Sequence, residues 1–243
     1  MTESATGDAI ELLRWDSDHF GFPVARVLDP GGPEQIRAAV EAADNSGVRC
    51  LTALIATDRT EAITAAEEAG FRCYDVRVEL DRQVGAAPES LDGQQVRLAT
   101  EADLSSLEPI ARTRSFATRF SADPHFAADL VGRLYVEWLR RGLRGEDRLL
   151  IVTNELDGFI VCRVERKIQV GTIELIAVAA DSEGVGLGSR LVQGAETLFA
   201  DTELKWAQVV TQGRNLSAQR LYQRHGYRTS CVKLWLHRWA LTR

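Results

Sequence analysis

Two hydrophobic periodicities alternate along the chain. Residues 34–43 and 61–69 place apolar side chains three and four apart, which predicts two amphipathic helices. Cys50–Ala56 is an almost unbroken apolar run, and residues 74–80 alternate Val76, Val78 and Leu80 with Arg77 and Glu79, so both read as strands. The pattern lapses over residues 82–95, where Gly, Pro and polar residues follow one another without a period, as in linkers. Beyond it, Thr100 with Asp103 three residues later predicts a helix start, because a hydroxyl and a carboxylate at that spacing satisfy early helical N–H groups. Pro109 is expected to kink or interrupt this helix, and a second helix fits residues 129–141. Residues 149–152 and 159–164 flank a polar segment ending at Gly158, a hairpin signal. A strand over residues 171–178 leads through a glycine-rich loop into a helix. Strands over residues 206–210 and 232–239, with a helix over 217–225 between them, complete the chain. The order implies an α/β (α+β) protein with a small N-terminal α/β domain (residues 1–81), a linker (82–95) and a larger domain (96–243).

The two parts echo each other. Residues 65–72 end a helix in Gly70, Phe71 and Arg72 ahead of an alternating strand, and residues 221–228 do the same with Gly226, Tyr227 and Arg228. Helix, glycine and strand is also a common grammar, since glycine readily takes the left-handed conformation that ends helices. If the echo is genuine, the first part is a degenerate copy, with Ala66 where the second has Tyr222 and no glycine loop.

Composition narrows the chemistry. Hydrophobic residues make up 45% and charged residues 26%, as in ordinary globular proteins, and no apolar run approaches a membrane span. The polar start shows no basic segment followed by an apolar one, so a cytoplasmic protein is expected. A net charge of −6 argues against bulk nucleic-acid binding but not against one anionic ligand. Cys50, Cys73, Cys162 and Cys231 form no C-x-x-C pair and are expected to be buried, reduced thiols; no metal site is expected.

The most informative segment runs from Glu174 to Leu191, where an apolar strand gives way to Gly184, Gly186 and Gly188 at alternate positions and then to a helix. Glycines there let successive backbone N–H groups converge at the positive end of a helix, the physical recipe for a phosphate or pyrophosphate site. A nucleoside-triphosphate loop would need a Gly-Lys-Ser/Thr, absent at Gly188, Ser189 and Arg190, and a dinucleotide fingerprint would need Gly or Ala where Ser189 stands.

The segment Glu183-x-x-Gly186-x-Gly188 resembles the coenzyme A pyrophosphate loop of the GNAT acetyltransferases. Asn215, Ala218, Tyr222, Gly226 and Tyr227 resemble the second GNAT signature, N-x-x-A-x-x-x-Y-x-x-x-G-F/Y. Residues 13–21, 114–120 and 132–138 further resemble the bacterial GNAT branch that acetylates dTDP-fucosamine, with Trp15, Phe20, Gly21, Phe116, Arg119, Phe120, Gly132, Tyr135 and Trp138 carrying the likeness. Glu183 departs from the usual Gln or Arg of the loop, with Arg190 or Arg214 in a position to compensate, and residues 121–126 do not match. The resemblance implies a GNAT fold with a mixed central sheet and acetyl-CoA as co-substrate. It implies a small-molecule amine acceptor, a nucleotide-linked amino sugar, and is compatible with a homodimer.

What the resemblance implies for residues is specific. Backbone groups of Ile176, Ala177 and Val178 would orient the pantetheine. Gly184, Val185, Gly186, Gly188 and Ser189 would hold the pyrophosphate. Asn215 would contact the pantetheine arm, and Tyr222 would serve as general acid to the departing thiolate. Glu174 and His125 are the candidate bases. Arg112, Arg114 and Arg119 are candidates to clamp a diphosphate, with Trp15, Phe116 and Phe120 available to stack on a base or sugar. Acetylation of another small amine or a peptide N-terminus, and a non-catalytic acyl-CoA-binding module, remain open alternatives.

Overall fold

A computed structural model describes residues 9–86, 90, 91, 93, 95–113, 118–145 and 147–240. Ten strands form one mixed sheet in the order β1-β2-β3-β10-β4-β9-β8-β7-β6-β5. They are β1 (Ile10–Leu12), β2 (Val24–Val27), β3 (Cys50–Ala56), β4 (Arg72–Gln83), β5 (Val96–Leu98), β6 (Arg148–Thr153), β7 (Gly158–Glu165), β8 (Val170–Val178), β9 (Trp206–Gln212) and β10 (Arg228–Trp239). The helices are α1 (Arg14–Phe20), α2 (Pro33–Asn45), α3 (Thr60–Glu68), α4 (Leu104–Thr113), α5 (Arg119–Ala122), α6 (Ala128–Arg144), α7 (Leu187–Asp201) and α8 (Leu216–Arg224).

The echo extends to individual hydrogen bonds. α3 and α8 each have nine residues, and β4 and β10 each have twelve. Gly70 at φ 86° and Gly226 at φ 80° stop the two helices. The next amide folds back in each: Phe71 N–H donates to the Ala66 carbonyl at 2.9 Å, and Tyr227 N–H to the Tyr222 carbonyl at 3.1 Å. Ala66 and Tyr222 are therefore equivalent positions.

The sheet crosses the boundary expected at residues 82–95, because the halves exchange their last strands. β4 pairs antiparallel with β9, from Arg77 opposite Gln212 to Gln83 opposite Trp206. β10 pairs antiparallel with β3, from Lys233 opposite Ala56 to Trp239 opposite Cys50. β4 and β10 also pair with each other, so the order β2-β3-β10-β4-β9-β8 is symmetric about its centre, with both outer pairs parallel.

Helices cover both faces. α7 and α8 pack through Leu191, Val192, Ala195, Phe199 and Tyr222 onto β4 and β7–β9. α2 and α3 pack on the same face over β2, β3 and Leu236 of β10. α1, α4, α5 and α6 cover the opposite face through Phe20, Leu107, Phe120, Leu134 and Leu139. Amphipathic helices on a two-sided sheet are what the alternating patterns required.

Three local expectations are revised. Pro109 lies inside α4 without ending it. Cys73 is exposed and Cys231 half-buried, because β4 and β10 run beyond the helices that cover their centres; Cys50 and Cys162 are buried. The elements β1, α1, β2, β5 and α5 were not expected, being too short to show a period. The Thr100 start holds: the Asp103 carboxylate accepts the Thr100 N–H at 2.7 Å and also pairs with Arg97.

The exchange predicts that residues 96–243 expressed alone will not fold, since β9 and β10 would each lose their pairing with β4. Soluble yield and far-ultraviolet circular dichroism should both be poor, and co-expression of residues 1–86 should restore them.

Candidate active site

The glycine segment makes an uncapped helix start. Gly184 (φ 80°) and Gly186 (φ 91°) take left-handed conformations that other residues adopt only with strain, and the space beside their Cα atoms is open. A Cβ on Gly188 would come within 3.3 Å of Leu221 on α8, so the two helices touch there. No side chain caps α7, and its first helical hydrogen bond runs from the Arg190 N–H to the Gly186 carbonyl. The leading N–H groups of α7 therefore point outward at the positive end of a fifteen-residue helix, beside the exposed Val185.

The corresponding turn before α2 in the first half is built differently. Pro33 removes one leading N–H and Glu34 adds a carboxylate, so this end repels an anion.

Next to the loop the sheet opens. β8 and β9 pair in parallel only from Val170 opposite Trp206 to Ile173 opposite Val209. β9 continues to Gln212 along β4 while β8 continues to Val178 along β7. The edge of residues 174–178 that faces β9 thus has no strand partner, and Ile176, Ala177 and Val178 line a split in the sheet. A bulge at Glu174, where Val161–Leu175 pairing shifts to Cys162–Ile173, marks the start of the divergence. It also flips the strand, so that Ile173 packs towards α7 while Leu175 and Ala177 pack towards α4 and α6.

Tyr222 reaches this region from α8. It is 2% exposed, packs in the cluster with Cys162, Ile173 and Leu191, and lies 5.9 Å ring to ring from Tyr227. Burial pushes its phenol pKa up, which keeps the proton on. Asn215 sits one residue before α8 and caps it: its side-chain oxygen accepts the Ala218 N–H at 3.2 Å and the Ser217 hydroxyl at 3.0 Å, leaving only its NH2 for a ligand. Ser189 in the first turn of α7 contacts His225 Nε2 at 3.0 Å, and Arg82 of β4 ties Glu196 of α7 to the His225 carbonyl.

On the opposite face a buried polar network surrounds α5. Arg119 is 9% exposed, lies 4.0 Å over Phe120 and 4.2 Å over Trp235, and donates to His237 Nε2 at 3.2 Å. His237 Nδ1 in turn donates to Asp123 at 2.7 Å, and Asp123 also accepts from Trp239 Nε1 and His125. Since Arg119 is always a donor, the imidazole must be neutral with its proton on Nδ1. Burial holds the His237 pKa down to about 4, and its hydrogen-bonding partners hold Asp123 down to about 2 against the opposing effect of burial.

The residues singled out from the sequence fall into three groups. Gly188 and Ser189 abut α8 at Leu221 and His225, Ile176 and Val178 pack on the cluster that holds Tyr222, and Asn215 caps the start of α8. Arg112 and Trp15 meet elsewhere, with Arg133 and Arg140, in a cleft of about 650 Å³ between α1, α4 and α6. Trp15 already stacks on His19 at 4.9 Å and carries Arg141 at 4.5 Å. Arg119 is not part of that cleft; two aromatic rings and His237 enclose its guanidinium, so it works as an internal strut. Arg114 and Phe116 lie outside the described residues.

Neither candidate base suits that role. Glu174 is held between Arg148 at 2.8 Å and Arg163 at 3.3 Å, so both of its oxygens are already engaged. His125 is stacked on Trp239 and hydrogen-bonded to Asp123, so its ring is already engaged. Arg214 reaches the Tyr74 carbonyl at 2.6 Å and Arg190 binds Gln95, so neither stands in for the missing basic residue at Glu183.

Comparison with known proteins fits this geometry. Residues 115–227 match the family model for "Acetyltransferase (GNAT) family". This segment is a GNAT acetyltransferase domain. The chain is similar to dTDP-fucosamine acetyltransferase of Escherichia coli O6:H1 strain CFT073, with 28% identity over 58% of this chain and 62% of that protein. It is also similar to the spore coat polysaccharide biosynthesis protein SpsD of Bacillus subtilis strain 168, with 27% identity over 56% of this chain and 48% of that protein. The alignments thus span less than two thirds of either relative. The fold is shared with a GCN5-related N-acetyltransferase from Sphaerobacter thermophilus (TM-score 0.61, 14% identity, 95% of this chain and 76% of that one). It is also shared with a tandem GNAT protein from the clavulanic acid biosynthesis pathway (TM-score 0.57, 13% identity, 92% and 77%). The GNAT segment holds the split, the glycine loop and Tyr222, while β4 enters from outside it.

The network predicts a pH-dependent stability. His237 is depressed from 6.5 to about 4 in the folded protein, so the unfolded chain takes up a proton first as pH falls. Stability should drop by on the order of 1–3 kcal/mol between pH 6.5 and 4 on this account. Urea denaturation of His237→Gln should show a lower starting stability and a flatter profile across that window.

Proposed function

We propose that the protein is an acetyl-CoA-dependent N-acetyltransferase that passes acetyl directly to the amine of a nucleotide-linked amino sugar. The observation that carries the first half is the pairing of an uncapped, glycine-built helix start with an adjacent split between β8 and β9. The N–H groups of Gly186 to Ser189 suit a pyrophosphate, and the unpaired edge of residues 176–178 suits the amide groups of a pantetheine arm. Donors along that edge also suit the carbonyl oxygen as it gains charge. Tyr222 is the proton donor to the departing thiolate. Its raised pKa keeps it protonated, and its burial keeps competing water away.

The amino-sugar acceptor rests on the name of the Escherichia coli relative and on the cleft around Arg112. Arg112, Arg133 and Arg140 offer planar donors for a diphosphate, although Arg140 already pairs with Glu108 at 2.7 Å, Arg133 lies 3.6 Å from Asp129, and Asp18 and Glu137 share the lining. The cleft's volume of about 650 Å³ is within the range of small-molecule pockets.

Purified protein incubated with acetyl-CoA and a panel of nucleotide-linked amino sugars should release free thiol with at least one of them. Turnover with a peptide amine and none of the sugars would reassign the acceptor. Tyr222→Phe should lower kcat by about tenfold or more with CoA affinity nearly unchanged, and full retained turnover would remove the phenol from the reaction.

A further inference from the structure

We propose that Asp75, contributed by the exchanged strand β4, is the general base that takes the proton from the incoming ammonium. The assignment rests on the acetyltransfer reading and adds to it a residue outside the matched GNAT segment.

Position is the first argument. β9 ends at Gln212 opposite Arg77, and the next residue, Gly213, donates its N–H to the Val76 carbonyl at 2.6 Å. That approach demands a glycine, since a Cβ would come within 2.9 Å of Val76. Arg214 then bends back to the Tyr74 carbonyl and lies 3.7 Å from the Asp75 carboxylate. Asp75 therefore stands immediately past the end of β9, at the mouth of the split.

Facing is the second. Asp75 is the cross-strand neighbour of Trp235, whose ring lies under Arg119 of α5, and a register shift beside this pair re-aims the strand. Its carboxylate is thus on the α5–α6 side, opposite the glycine loop and Tyr222. A thioester threaded through the split from the α7–α8 side must meet its acceptor from the side on which Asp75 lies.

Environment is the third. The residue is 4% exposed. Around it stand Arg119 from α5, Tyr135 from α6, Arg214 from the β9–α8 turn, Trp235 from β10 and Cys73 on its own strand. Backbone N–H groups of Val76 and Arg119 donate to the carboxylate. Burial outweighs these cations and donors and raises the group to about 6, near the value useful to a base at neutral pH.

The step balances without a further reactant. One proton passes from R–NH3+ to an Asp75 oxygen, freeing the nitrogen lone pair. Nitrogen bonds to the acetyl carbonyl carbon while the C–S bond breaks, its electron pair leaving on sulfur. The second N–H proton is lost as the amide forms and the sulfur is protonated by way of Tyr222. Asp75 then releases its proton to solvent, so ammonium and thioester give amide, thiol and one proton.

The test compares pH profiles of kcat/KM for wild type and Asp75→Asn, using acetyl-CoA and dTDP-4-amino-4,6-dideoxygalactose or, failing it, the fastest amine of the panel. The variant should lose about 10- to 100-fold at pH 7 and recover to within about threefold by pH 9, where the amine is already free. It should also melt at a higher temperature at pH 8, because an ionised carboxylate is no longer buried. Asp75→Ala should regain about tenfold with added formate, a check that remains if the Asn variant folds poorly. A variant profile parallel to wild type, or a loss that neither high pH nor formate relieves, overturns the base assignment alone. Wild-type protein that releases no thiol with any amine overturns the acetyltransfer reading and the base role with it.

Discussion

The structure depends on one exchange of hydrogen bonds. β4 finds its partners in β9 and β10, and β10 finds its partners in β3 and β4, so neither half completes its own sheet. The central antiparallel pair, running from Arg228 opposite Asp81 to His237 opposite Arg72, fastens two βαβαβ units back to back. Around that seam the faces sort by alternation: Val78, Leu80 and Leu236 face the α2–α3 and α7–α8 side, while Asp75, Trp235 and His237 face α5. Arg82 extends the seam into the functional region by tying α7 to the end of α8 beneath the glycine loop.

Symmetric architecture and unequal chemistry follow from a few residues. Ala66 replaces a phenol at the end of one helix, and Pro33 with Glu34 replaces open amides at the start of another. The first half keeps the packing role of each element and contributes instead a strand, a set of aromatic contacts and the floor beneath α5. Burying Arg119 is costly for an isolated cation. Here two aromatic faces and a neutral imidazole share the charge, with Asp16 at 3.9 Å, and the guanidinium still sits at about 10 because burial is incompletely offset.

Much of this was legible in the sequence where a residue's role is local. The helix of residues 34–43, the Thr100 start, the glycines at 184 and 186, and the stop at Gly226 each declare themselves through spacing or backbone demand. Roles that depend on contacts between distant segments did not. The parity of Asp75 with Arg77 and Glu79 reads as a solvated strand face, and only α5 lying across β4 buries it. Asp123 lies 114 residues from His237 and 116 from Trp239 along the chain, with no shared motif to link them. Arg119 lay close in sequence to Arg112 and so suggested a common clamp, but α5 turns it inward. Glu174 looked free on its strand because Arg148 and Arg163 come from two other strands.

The exchanged strand also sets a timetable on the ribosome. β4 is complete at Gln83, yet its two partners end at Gln212 and Trp239, roughly 150 residues later. At roughly 5–20 residues per second, that strand waits on the order of ten seconds or more with both of its edges unmatched. Its alternating Arg77, Glu79 and Asp81 put charge along one side of the nascent segment, which disfavours pairing with another chain in the interval. Long-range closure of this kind makes folding a late event governed by the last strand synthesised.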